Sequence, residues 1–277
     1  MLPTKSTLLF LSTIATTASA CVYKRQEQPT RPANWTYTGE TGPLLWGFLD
    51  PTYGACANGT AQSPIVIDSS VTMTNTTPTM NIPNVDSVTI KNYGLPTMNI
   101  DSINGTTTFN GVDYVFRNFH FHTPSEHRLG NEYYPLEMHM VHQADDGSYV
   151  VFTMLFELSD SNNTDFVTAA FPVTNSTLDL TPATTGSLDF APIVKAFQSE
   201  FAYTYTGSLT VPPCTEGVQF VILPTPRPID VQTYLAAKRL LRYNSRPVEN
   251  TPGSDNLIQV LGNHFRNTTV PNTSGLN

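Results

Sequence analysis

Asn118-Phe119-His120-Phe121-His122 and Glu137-Met138-His139-Met140-Val141-His142 decide how this chain folds. Both stretches alternate polar and apolar residues with the two-residue period of a β-strand. Residues i and i+2 of a strand point to the same face, roughly 6.5–7 Å apart. His120 and His122 therefore share one face, and Phe119 and Phe121 the other. The residues between, 123–135, are rich in turn formers. An antiparallel pairing of the two strands then points His139 at the two earlier histidines. Three imidazoles converging on one point, with no cysteine nearby, suit a divalent zinc ion with its fourth position open.

Five of the six histidines lie between 120 and 142. A single histidine on a strand is ordinarily a core or surface residue; the third one and the flanking carboxylates favour a metal. Metal-bound histidines usually pass their second ring N–H to a carboxylate or carbonyl. Glu137 shares a face with His139 and is placed for that task, and Asn118 is placed likewise for His120. His127 and His142 read as buried, hydrogen-bonded structural residues. Ser125-Glu126-His127 is not a hydrolytic triad, because such triads are assembled in space rather than in sequence. His264 lies in a polar tail and receives no role.

Outward from these stretches, the chain reads as one mainly β (α+β) domain. Thr, Val, Ile, Tyr and Phe occur in short runs broken by 22 prolines and 16 glycines, as strands between turns require. Helical spacing is clear from Asp230 to Leu241, where Val231, Tyr234, Leu235 and Leu241 form the apolar face and Asp230 caps the start. Ile193–Phe201 is a second, weaker helical segment. The formal net charge is −8 with no basic run, which argues against nucleic acid and anionic membrane as partners.

Residues 1–20 read as a secretory signal, with Lys5 in the n-region, an apolar run from Leu8 and an Ala18-Ser19-Ala20 cleavage site. The run is too short to span a bilayer, and no later stretch approaches the length needed. A secreted protein without a membrane anchor follows. Residues 21–32 form an extension or propeptide, and Lys24-Arg25 is either two solvated charges or a processing site. Sequons at Asn34, Asn58, Asn75, Asn104, Asn162, Asn175, Asn267 and Asn272 are glycan acceptors in an exported chain.

Asn118–His122, Ser125-Glu126-His127 and Glu137–His142 resemble the zinc segment of the α-class carbonic anhydrases, of the secreted, eukaryotic, fungal type. The family pattern there is QFHFHWG…SEH…ELHLVH. The run from Tyr205 to Glu216 resembles the family's YPGSLTTPP segment, and Gln62-Ser63-Pro64-Ile65 its QSPI/V segment. Trp35-x-Tyr37, Gly42-Pro43-x-x-Trp46 and Asn244-x-Arg246-Pro247 also fall where the family has similar residues. The resemblance runs from about Trp35 to Leu261, within a catalytic domain placed at 33–262 and followed by a flexible tail, 263–277.

The resemblance implies a large central, mostly antiparallel β-sheet with peripheral short helices. It implies Zn2+ on His120, His122 and His139, with Asn118, Glu137 and Asn244 holding those rings. It implies reversible hydration of carbon dioxide to bicarbonate and a proton by zinc-bound hydroxide, oriented by Thr210 and Glu126. Val141, Val151, Leu209 and Val218 would wall the substrate pocket, with Phe220 behind and Val211 where many members have a polar residue. Leu95 stands in the place of the proton-shuttle histidine of fast members, and leucine cannot carry a proton.

Secreted members carry a disulfide between places similar to Cys56 and Cys214, so that pairing is expected here. Cys21 is left over, to depart with a propeptide or pair between chains. Carbon dioxide and bicarbonate are the implied small-molecule partners, with anions and sulfonamides as inhibitors and a homodimer as a compatible assembly. Two other readings share the scaffold: a non-catalytic extracellular binding module, which loss of a zinc histidine would favour, and a zinc esterase side activity.

Overall fold

The computed structural model describes residues 34–91, 99–101, 103–160, 165–171 and 183–267. The expected signal peptide, Cys21, Lys24-Arg25, Leu95 and the sequons Asn162, Asn175 and Asn272 lie outside the described residues. The described residues belong to one compact unit, Arg31–Asn277.

The first strands are β1 (Val66–Ile67), β2 (Thr72–Met73), β3 (Thr79–Asn81), β4 (Thr89–Lys91), β5 (Asn99–Asp101), β6 (Thr106–Phe109) and β7 (Val112–His122). They are followed by β8 (Arg128–Leu129), β9 (Leu136–Ala144), β10 (Tyr149–Ser159), β11 (Ala183–Thr184), β12 (Tyr203–Ser208), β13 (Glu216–Ile222) and β14 (Arg227–Asp230). Among the described residues one sheet runs in the order β11-β4-β5-β7-β9-β10-β13-β12-β2, with β6 and β14 joined at its sides. Its pairings are antiparallel except β10 with β13 and β10 with β14. The mainly β, mostly antiparallel architecture is thus the one expected.

The register of β7 on β9 positions the site. His120 stands opposite His139 and His122 opposite Glu137, and the ladder slips between Phe116 and Asn118. That bulge re-phases β7. Tyr114 and Phe116 are buried before it, Phe119 and Phe121 after it, so the buried parity changes from even to odd. Without the extra residue, one alternation could not bury both aromatic pairs and still turn both histidines the other way. The parity switch is written in the sequence as the three-residue step from Phe116 to Phe119.

The two faces of the sheet have separate cores. Phe119, Phe121, Leu136, Met138, Met140, Phe152 and Met154 pack in the larger one. Ile65, Ile67, Val151, Val218, Phe220 and Ile222 form another beside the histidines. A third, smaller cluster joins Trp35, Tyr37 and Trp46 edge-to-face with Cys56 and Cys214.

The helices α1 (Trp46–Leu49), α2 (Ala55–Asn58), α3 (Asp165–Ala170), α4 (Ala191–Ser199), α5 (Val231–Leu241) and α6 (Leu257–Asn267) are short. Asp230 caps α5 as expected, its Oδ1 accepting from the Thr233 N–H at 2.9 Å. The expected apolar face of α5 is corrected in part: Leu241 is buried and Tyr234 packs against the core as expected, but Val231 and Leu235 do not belong to it. Thr233, Ala237 and Leu241 are buried, whereas Val231 is 49 % and Leu235 43 % exposed. Small side chains bring this helix close to the sheet, and a count of large apolar residues overlooks them. Helix α6 crosses the expected boundary at 262, so His264 sits in a helix.

Candidate metal centre

Strand β7 supplies His120 and His122, and β9 supplies His139. Their ring centroids are 5.1, 5.3 and 4.7 Å apart, and one ring nitrogen from each falls within 4.8 Å of the other two. The alternation of the two strands and their antiparallel register therefore bring the three histidines together as the sequence predicts.

The opposite ring nitrogens are all engaged. His120 Nδ1–H donates to Asn118 Oδ1 at 3.1 Å, His122 Nδ1–H to the Asn244 carbonyl at 2.7 Å, and His139 Nε2–H to Glu137 Oε1 at 2.5 Å. A carbonyl or carboxylate oxygen can only accept, so these contacts set the tautomers. His120 Nε2, His122 Nε2 and His139 Nδ1 are left with lone pairs. Of these, His122 Nε2 is buried without any partner. A buried acceptor left unmatched costs free energy unless something occupies it, and three neutral nitrogens around a point are a zinc donor set. The residues fit the ion.

Electrostatics agree. Burial pulls the pKa of His120 well below the usual imidazole value, helped by its neighbours His122 and His139. Burial likewise lowers His122 and His139. All three are held neutral, as metal ligation requires. Burial alone would raise the pKa of Glu137, but His127 and His139 hold it well below the ordinary carboxylate range. His127, Glu137 and His139 also lie close enough to bind a metal; the hydrogen bonds within that group already use the Glu137 oxygens.

Asn244 is a three-way clamp. Its carbonyl takes the His122 proton, its Oδ1 accepts from the Thr123 N–H at 2.8 Å, and its Nδ2 donates to the Phe121 carbonyl at 2.8 Å. Glu126 is fully buried and accepts from the Arg246 N–H at 2.9 Å. Burial raises its pKa to about 7 against the pull of His139. The buried Thr210 lies near enough to favour the Glu126 carboxylate. Glu126 Oε2 is buried with no hydrogen-bond partner of ordinary geometry.

Val141, Val151, Leu209 and Val218 meet in one cluster with Phe220. Val211 does not join them; it packs against the Trp35, Tyr37 and Trp46 cluster. Cys56 and Cys214 are bonded, closing a span of 158 residues. His127 and His142 are fully buried, as expected. Sequence reasoning gave no role to Tyr205, whose hydroxyl lies 2.6 Å from His127 Nε2. Its one signal was its place at the head of the segment that also carries Thr210.

Fold and site together define a metalloenzyme whose centre is three neutral imidazoles standing on adjacent strands of a β-sheet. The family model of eukaryotic-type carbonic anhydrase matches residues 41–270. The chain belongs to that family, the α carbonic anhydrases, and is a zinc-dependent lyase that interconverts carbon dioxide and bicarbonate. The structure of a fungal α carbonic anhydrase from Aspergillus oryzae is similar at 38% identity and a TM-score of 0.78, covering 82% of this chain and 98% of that one. A carbonic anhydrase of Klebsiella pneumoniae is 30% identical over 224 residues, 78% of this chain and 87% of that protein. The α carbonic anhydrase of Thermovibrio ammonificans, solved with the inhibitor sulfanilamide, is 28% identical with a TM-score of 0.66, covering 81% and 98% of the two chains.

Proposed function

We propose that the residues of this chain divide the hydration of carbon dioxide as follows. His120, His122 and His139 hold the zinc, and the unmatched buried Nε2 of His122 is the observation that carries this assignment. When bound, zinc supplies a Lewis acid that makes water acidic enough to ionise near neutral pH. Asn118, Glu137 and the Asn244 carbonyl fix the three tautomers and the ring planes. Such partners hold ligands in register and tune their basicity.

Thr210 orients the nucleophile. With its own O–H given to the Glu126 carboxylate, the Thr210 oxygen is left as an acceptor for the hydrogen of the attacking oxygen. That aims the attacking lone pair at carbon, while the Thr210 N–H meets a substrate oxygen. Glu126 accepts the Thr210 O–H hydrogen bond best as an ionised carboxylate. The Arg246 N–H serves that state, and a bound cation nearby would favour it further. Val141, Val151, Leu209 and Val218 give carbon dioxide an apolar wall that offers water no hydrogen bond. Sulfonamides and small anions are the inhibitors this site takes, as sulfanilamide is for the Thermovibrio enzyme.

The signal at residues 1–20 and the bonded Cys56–Cys214 pair support export. Among the described residues no helix is long and apolar enough to cross a membrane. The sequon asparagines Asn34, Asn58, Asn75 and Asn104 are exposed and open to glycan transfer. The test of the whole assignment is stopped-flow carbon dioxide hydration on the zinc-loaded protein, on the chelated protein and on His122→Ala. Activity in the first alone is expected; hydration by His122→Ala at the wild-type rate sinks the assignment.

A further inference from the structure

Behind His139 a line of hydrogen bonds runs away from the centre through four separate segments of the chain. His139 Nε2–H and His127 Nδ1–H both end on Glu137 Oε1, at 2.5 and 2.6 Å. Glu137 Oε2 takes the Glu126 and His127 N–H groups at 2.7 and 2.8 Å. The other nitrogen of His127, Nε2, lies 2.6 Å from the Tyr205 hydroxyl, which lies 2.8 Å from Ser63 Oγ. Ser63 Oγ in turn accepts the Ser208 N–H at 3.0 Å. Ser63, His127 and Glu137 are buried.

With His127 neutral, the direction of every bond in this line follows from its two ends. An ionised Glu137 can only accept, so His127 carries its proton on Nδ1. The neutral imidazole is then an acceptor at Nε2, and only the Tyr205 O–H can serve it. Burial holds that phenol protonated, with its pKa well above 10. The Tyr205 oxygen accepts from the Ser63 hydroxyl, whose oxygen already accepts from a backbone N–H. All donors point toward Glu137, so each bond polarises the next in the same sense.

We propose that Tyr205 is a positioning residue of the metal centre. Its O–H, given to His127 Nε2, keeps the His127 proton on Nδ1 and thereby holds Glu137 in place against the zinc ligand His139. Were the proton to move to Nε2, the Nδ1 lone pair would face a carboxylate oxygen at 2.6 Å. The carboxylate or the ring would have to shift, and His139 would lose its alignment. Room for the outer bond is kept by Gly207, where an added Cβ would lie 2.1 Å from Ser63 Oγ and 2.6 Å from the Tyr205 ring. The line rests on His139 being a zinc ligand, and it adds a residue on another strand to what governs that ligand.

The test uses imidazole nitrogen NMR and zinc transfer to a chelator. In the wild type, zinc-loaded or metal-free, at a pH above 8, His127 shows one slowly exchanging proton, on Nδ1. In Tyr205→Phe that signal moves or is lost, and zinc release to a chelator quickens by about tenfold. Ser63→Ala, which removes the outer bond and the acceptor of the Ser208 N–H but leaves the Tyr205–His127 bond, gives a smaller change of the same sign and stands in if Tyr205→Phe does not fold. Tyr203→Phe, on the same strand but outside the line, releases zinc as the wild type does. A wild-type His127 protonated on Nε2, or wild-type zinc release from both Tyr205→Phe and Ser63→Ala, overturns the proposal. A wild type that binds no zinc would instead refute the ligand assignment, and the nitrogen spectrum of the metal-free protein reads the line without it.

Discussion

His142 sits between Phe116 and Phe152, with ring centroids 4.9 and 5.1 Å away. Burial lowers its pKa to about 4, only partly offset by the Nδ1–H bond to the Met140 carbonyl. A folded-state value below the unfolded one means that unfolding takes up a proton in the window between them. Stability owed to this group is whole above pH 6.5 and is lost as pH falls toward 4, by about 3 kcal/mol in all. Urea titrations at pH 7.5 and pH 5 should show His142→Leu losing less stability between the two than the wild type; equal losses would place the titrating group elsewhere. Leu95 makes the second single-residue prediction. With no imidazole at that position, hydration at high substrate should speed up as buffer concentration rises, and Leu95→His should weaken that dependence. The same scale shows what the sequence could not say. The histidine triad was legible because strand alternation reports which side chains share a face. The Asn244 carbonyl was not legible as such, since every residue has one and the position lies 122 residues from His122. Only the family resemblance pointed there.

Among the elements, β7 and α5 were read with different success for one reason. Periodicity follows large apolar side chains, so it catches the alternation of Phe119, His120, Phe121 and His122 but not what small residues do. In β7 the missed feature is the bulge beside Arg117, visible only as a change of parity between Phe116 and Phe119. In α5 it is the buried face itself, where Thr233 and Ala237 accompany Leu241 while Leu235 is 43 % exposed. The two versions of α5 differ in a measurable way. Leu241→Ala should cost about 2–5 kcal/mol in urea unfolding through lost burial and a cavity. Leu235→Ala should stay within about 0.5 kcal/mol, as a surface change does. Equal costs would restore the face drawn from apolar spacing.

Across the whole molecule, the Cys56–Cys214 bond ties the first part of the domain to the turn that follows Thr210. Cys56 is also where the chain after β14 is fastened: its carbonyl accepts from Arg246 Nη2 at 3.2 Å and from Asn256 Nδ2 at 3.3 Å. The Arg246 guanidinium bonds Glu249 at 2.7 Å and the Ser63 carbonyl at 2.9 Å, while its backbone N–H holds Glu126. The bridge thus stands behind both Thr210 and Glu126, the pair assigned to orient the nucleophile, and lies in the Trp35, Tyr37 and Trp46 cluster rather than on β7 or β9. Two consequences separate cleanly. Closing 158 residues restricts the unfolded chain, so replacing both cysteines by alanine should cost on the order of 5 kcal/mol in the chain-entropy model. The histidine triad stands on strands paired to one another without help from the bridge, so the variant should still hold one zinc. Its kcat should nonetheless fall, because the Thr210 turn loses its tether. Unfolding midpoint, zinc content and kcat on the same preparation decide the matter. If zinc is lost in step with activity, the bridge supports the metal centre itself; if kcat is untouched, the turn is held by its own hydrogen bonds, Leu209 N–H to the Thr215 carbonyl and Cys214 N–H to the Val211 carbonyl, both at 2.9 Å.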